Sequence, residues 1–178
     1  IAVLQHGYAH LNHAPKGAKK CELTDDRPLA DTLAELRQGS ARLFTWPGAL
    51  PVLVPPWNRI GPAVVAQLPR LGFKGLSLHG ARQDVPPGLR VANTHLDPIA
   101  WRAERAFVGL APLLEAAIAA LKDRRTGVFD ASEPIGLLTH HAAHGESSWD
   151  FLAAFLEYTR THAGARWASA RELFGDAG

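Results

Sequence analysis

The sequence predicts an α/β fold with a mainly parallel sheet. Short apolar runs alternate with amphipathic helical stretches. They do so over one compact length, with no internal repeat, linker or low-complexity segment.

The elements follow in order. "IAVL" at 1–4 reads as a buried strand. A helix is expected over 24–39. Asp25 or Asp26 can cap it, Pro28 suits its first turn, Leu29, Leu33 and Leu36 form a stripe, and Gly39 ends it. "PVLV" at 51–54 is a strand stopped by Pro55 and Pro56. A helix at 61–72 is expected to be disturbed near Pro69 and closed by Gly72. "KGLSL" at 74–78 and "RVANTH" at 90–95 read as strands. The strongest helical pattern spans 110–127, with Gly127 past its end. "PIGLLTH" at 134–140 reads as a strand and 147–164 as a helix capped by Ser147 or Ser148. A strand-like piece and a last helical turn are expected within 166–174.

A chain of 178 residues can bury a sizeable core as a single domain, and 47 % hydrophobic with 20 % charged residues argues against disorder. A net charge of +2 without a long basic run carries no footprint of nucleic-acid binding. No apolar stretch reaches the ~18 residues of a membrane span, and no signal peptide is visible. The lone Cys21 excludes an intrachain disulfide and reads as an ordinary residue. The chain lacks methionine and opens inside a strand, so it reads as a product whose N-terminal segment is missing. The compartment is left open, with the cytoplasm favoured, and so is the oligomeric state.

The segment "VLQHGYAHLNHAP" at 3–15 sets the functional question, with three histidines within eight positions. On a helical turn His6 and His10 share one face and can chelate one ion. Neutral imidazole suits zinc and similar metals. Two histidines leave a catalytic zinc site one protein ligand short. His13 reads as a neighbour of that pair. The other capable residues also follow apolar runs. Pro56, Trp57 and Asn58 come after the second strand, His79 after the third, and Asp97 and Trp101 after the fourth. His140, His141 and His144 come at or after the last. Parallel α/β folds gather active sites on that edge. Trp57 offers a stacking wall for a sugar and Asn58 offers hydrogen bonds. Asp97 either forms a turn before Pro98 or holds a histidine in one tautomer. His140 is suited to protonate a leaving amine.

Taken in order, these segments resemble the polysaccharide deacetylase family, metal-dependent carbohydrate esterases with a nodulation-deacetylase-like domain. His6 and His10 match the family's metal-binding H-x3-H pair. Val54-Pro55-Pro56-Trp57 resembles its Arg-x-Pro-aromatic groove motif, Asp97 to Trp101 its Asp-to-Trp segment, and Leu137 to His140 its Leu-x-x-His. The resemblance spans residues 6–140. It implies a distorted, incomplete (β/α) barrel of about seven strands, with 1–178 as a single, N-terminally incomplete catalytic domain. Two features depart from the family. The Asp-Asp strand that supplies the base and the third metal ligand is not in this chain, since "TDD" at 24–26 reads as a helix cap. Val54 stands where the groove arginine belongs.

The implied activity is hydrolysis of a C–N bond other than a peptide bond. A divalent metal such as zinc, on His6 and His10, would remove an acetyl group from an N-acetylated sugar. His140 would be the general acid, Asp97 would orient it, and Pro56, Trp57, Asn58 and Trp101 would line the groove. One rival is a non-catalytic, carbohydrate-binding remnant of the fold. Another is an amidase acting on a small non-glycan substrate. Neither nucleic acid nor a membrane span enters any of these readings.

Overall fold

The structure, a computed structural model, describes residues 1–103 and 105–175. It comprises two compact units. One is Ile1–Asn93 together with the described residues from Ser169 onward, and the other is Thr94–Ala168.

The first unit is built on a parallel sheet of β1 (Val3–Gln5), β2 (Ala49–Leu53), β3 (Gly75–Leu76) and β4 (Arg90–Val91), in the order β1-β2-β3-β4. Gln5 pairs with Leu53, Val52 with Gly75, and Leu76 with Val91. Because successive strand residues face opposite ways, both sheet faces acquire a core. On one face Leu53 and Leu76 pack with Leu36 of α1 (Leu29–Leu43), Val64 of α2 (Pro62–Val65) and Phe73. On the other, Leu50, Val52 and Ala92 pack with Phe174 of α5 (Ala170–Phe174). Each fully buried leucine here contributes about 1.5–3 kcal/mol. Gly75 is needed for this layer, because a Cβ there would lie 2.9 Å from Val52 and closer still to Phe174.

Two local expectations change for packing reasons. Helix α1 runs through Gly39 to Leu43. Gly39 lies where the buried Gln5 side chain crosses α1, and a Cβ there would sit 2.5 Å from its Nε2. Glycine therefore permits close approach of strand and helix instead of ending the helix. Nor do the aspartates cap α1. Asp25 accepts the N–H of Ala63 in the first turn of α2, and Asp26 accepts the Thr24 hydroxyl. The disturbance at Pro69 is present. Helix α2 gives way to a 3-10 turn at Pro69–Leu71, closed by Gly72 at φ 85°. In the tail, α5 opens on a capping box in which Ser169 and Glu172 satisfy each other's backbone N–H groups.

The second unit contains α3 (Leu110–Thr126) and α4 (Glu146–Thr161). Leu113 of α3 and Phe151 and Leu152 of α4 enclose Leu96. Helix α3 ends at Gly127 in the left-handed conformation, φ 78°. Helix α4 starts after Gly145 without a side-chain cap, and Ser148 is buried in its first turn.

The seven-strand barrel is not what the chain forms. Among the described residues the sheet has four strands, two of them only two residues long, alongside five α-helices. The ladders stop because side chains take over their partners. The Asn93 side-chain Oδ1 accepts the N–H of Leu78, and its Nδ2 donates to the carbonyls of Gly80 and Ala81, so the β3–β4 ladder does not extend toward 78 and 93. The expected strand at 134–140 shrinks to one parallel bridge, Leu96 to Leu137. The N–H groups of His95 and Leu96 both converge on the Gly136 carbonyl there, which ends the regular alternation.

Candidate functional site

The capable residues form two groups, one in each unit. In the first unit His6 follows β1, and its Nδ1 lies 2.8 Å from the carbonyl oxygen of Val54, just past β2. With Nδ1–H donating to that carbonyl, the tautomer is set and the Nε2 lone pair is free. Metal-ligating histidines are commonly oriented in this way. The His10 ring centroid is 5.2 Å from that of His6 and 4.3 Å from the Trp57 ring. The Lys20 ammonium sits 6.0 Å from the Trp57 centroid.

The 6–10 segment is not the helical turn its spacing suggested. It is a loop wrapped around a carboxylate. Glu22, fully buried, accepts the N–H groups of Tyr8, Ala9 and His10, the Ala9 bond being 2.6 Å long. Consecutive backbone N–H groups turned onto one anion make a nest, and here the anion is the protein's own. Gly7 at φ 60° makes the turn possible. Nothing in the one-dimensional pattern around "KCELT" marks Glu22 as the post of this loop.

The loop also holds strain. His10 has φ 56°, and Trp57 and Asn58 both have φ 54°. The left-handed region costs roughly 1–2 kcal/mol per non-glycine residue, and such outliers concentrate at functional sites. Three of them meet around the His10–Trp57 contact, on the carboxyl edge of a parallel sheet. Pro56 is buried, and its ring is what a Gly7 Cβ would meet at 2.6 Å, so it supports the loop from below. Beside Asn58 opens a cleft of about 440 Å³, lined also by Thr24, Asp25, Asp26 and Arg59. His6 borders a second cleft of about 310 Å³ with Tyr8, Arg42 and Trp46. Cys21 lies beside the first cleft with its thiol pKa pushed up by burial, and its Sγ–H donates to the Arg59 carbonyl, both of which favour the protonated thiol.

In the second unit the Leu96–Leu137 bridge carries Asp97 to His140. His140 Nε2 is 3.2 Å from Asp97 Oδ2. The same oxygen accepts the Trp101 indole N–H at 2.8 Å, and Oδ1 accepts the N–H of Ile99 at 2.9 Å. Asp97 is thus both turn former and histidine holder. Trp101 touches His140 edge-on, with centroids 4.6 Å apart, and its ring is half exposed. His95, the other histidine of this segment, is buried beside Glu133 and accepts the N–H of Gly136 on Nδ1.

His144 was not singled out for a role by its sequence position, yet it holds the His140 loop. Its Nε2 accepts the His140 backbone N–H at 2.9 Å, and its ring packs on Trp149. An imidazole that accepts at Nε2 must be neutral. Burial, with the neighbouring His140 adding to it, lowers the His144 pKa below its ordinary 6.5. The unfolded chain therefore binds this proton first as pH falls. The stability that neutral His144 contributes is complete above pH 6.5 and is lost on acidification through its folded-state value. His144→Gln keeps an acceptor but does not titrate. Urea titrations at several pH values are expected to show a wild-type loss of stability below pH 6.5 that exceeds the variant's. Parallel pH profiles would refute the assignment.

Among the described residues, no group of three or more histidine, cysteine, aspartate or glutamate side chains is arranged to hold a metal ion. No helix among them is long and apolar enough to cross a membrane. Comparison with protein-family models, with curated proteins and with solved structures finds no match to this chain.

Proposed function

We propose that this chain carries part of the machinery of a metal-dependent hydrolase of the polysaccharide-deacetylase type, two metal ligands and a general acid, acting on the amide of an N-acetylated sugar. The observation that carries the reading is the His6–His10 pair. His6 is turned by the Val54 carbonyl so that Nε2 is free, and His10 is held beside it in a strained conformation. These residues would supply two ligands to zinc or a similar divalent ion, and a catalytic site of that kind takes a third protein ligand. Such an ion, when bound, polarises an amide carbonyl and lowers the pKa of a coordinated water.

The chain's own residues have definite tasks under this reading. The nest around Glu22 fixes the loop that carries both imidazoles. Trp57 offers an aromatic face, and Asn58 offers an amide that can bond sugar hydroxyls. Within the second unit His140, tied to Asp97 through Nε2, keeps Nδ1 for proton donation, the role the motif resemblance gives it. The sugar part of the proposal rests on the motif resemblance, whereas the metal and acid–base parts rest on the side chains.

The longest natural form of the protein, supplemented with zinc or cobalt, is expected to release acetate from chito-oligosaccharides. Metal and sugar binding without acetate would replace the hydrolase reading with that of a binding remnant. Acetate from small acetamides alone would move the substrate to the non-glycan class. The His6→Ala/His10→Ala double variant is expected to lose bound metal, measured by elemental analysis after gel filtration. Unchanged metal content would remove the site from these residues.

A further inference from the structure

We propose that α3 is a dimerisation helix that pairs, antiparallel, with α3 of a second copy of this chain. Its inner face is spoken for, since Leu113 and Ala120 are buried and Ala117 packs into the core. Its outer face is not polar, as an exposed helix face ordinarily is. Leu110, Leu114, Ile118 and Leu121 are 56 %, 40 %, 51 % and 53 % exposed. Leu114, Ile118, Leu121 and Arg125 stand four, three and four residues apart, the spacing of a seam between two helices, with exposed Ala111 completing it at the N-terminal end. Scattered surface leucines need no explanation, but a continuous line of them does.

The charges beside the seam select the partner. Glu115 and Lys122 are exposed and flank the same edge of the stripe, one heptad apart. In an antiparallel pair related by a twofold axis near Ile118, like edges face each other. Glu115 then meets Lys122 of the second copy, and Lys122 meets its Glu115. Ile118 packs on its own symmetry mate, Leu114 meets Leu121, and Leu110 meets the aliphatic stem of Arg125. The surface is therefore complementary to itself in steric pattern and in charge. A parallel pair would leave Glu115 and Lys122 unmatched. A helix of 17 residues spans only about 25 Å. The interface falls at the small end of the range, and a dissociation constant of roughly tens of micromolar is expected.

Sedimentation velocity of the whole chain over a concentration series spanning about 5–500 µM tests this. A shift from monomer to dimer is expected, and a monomer throughout would overturn the proposal. Ile118→Glu is expected to abolish the dimer, with circular dichroism showing α3 intact. A dimer unaffected by it would place the interface elsewhere. Charge reversal decides the orientation. Glu115→Lys alone and Lys122→Glu alone each set like charges face to face, raising the dissociation constant about tenfold at low salt. The double reversal is expected to restore it. Single and double variants that behave alike would refute the antiparallel pairing.

Discussion

Gly7→Ala is expected to destabilise the first unit by about 2–4 kcal/mol. Two terms add. Position 7 has φ 60°, where an L side chain is disfavoured by roughly 1–2 kcal/mol. The added Cβ would also collide with the Glu22 carboxylate and approach Pro56 to 2.6 Å. Neither neighbour can yield cheaply. Glu22 is fully buried and bound by three backbone N–H groups, and Pro56 is buried in the 3-10 turn that follows β2. Relief by moving Glu22 would strip those N–H groups of their acceptor, each a charge-assisted bond of about 1.5–3 kcal/mol. A urea melt measures the loss. A midpoint within error of wild type would mean that the 6–10 loop is not built around Glu22. Metal affinity should fall with it, because His6 and His10 are the two ends of that loop.

His140→Ala is expected to lower turnover about 10²–10⁴-fold with bound metal retained, the range typical for loss of a general acid. Asp97→Asn tests the support separately. An amide at that position has a single acceptor oxygen, so it cannot accept both the Trp101 indole and the Ile99 N–H as the carboxylate does, and it does not stabilise an imidazolium; turnover is expected to fall with bound metal retained. Trp101→Phe removes only the indole N–H at Asp97 Oδ2 and is expected to have a smaller effect. Near-normal turnover in His140→Ala would rule it out as the acid. Lost metal in the same variant would instead tie His140 to the metal site. The metal assay of the double histidine variant is independent of both outcomes.

The element order was readable because hydrophobic period and punctuation act locally. Helix α3 and its closing Gly127 came from a long apolar pattern followed by glycine. The break at Pro69 came from a residue that cannot donate a backbone hydrogen bond. The pairing of Asp97 with His140 was expected only through the motif resemblance, since the local pattern left Asp97 open between forming a turn and holding a histidine. Less was legible where one residue could serve two neighbours. Gly39 reads as a helix stop and is a contact with Gln5. Asp25 reads as a cap for α1 and serves α2 instead. His6 and His10 read as one helical face and are the ends of a loop. In each case the deciding partner is distant in sequence, and periodicity carries no information about it.

What the sequence determined by itself was the α/β class, the parallel order of the apolar runs and the set of imidazoles, carboxylates and indoles available for chemistry. These follow from side-chain type and short-range spacing. Only the tertiary structure decided that the sheet stops at four short strands, because Asn93 and Gly136 capture the hydrogen bonds that longer ladders need. It also decided that Glu22, silent in the sequence, organises the histidine loop. A buried carboxylate must find donors, and Glu22 finds them in the N–H groups of residues 8–10.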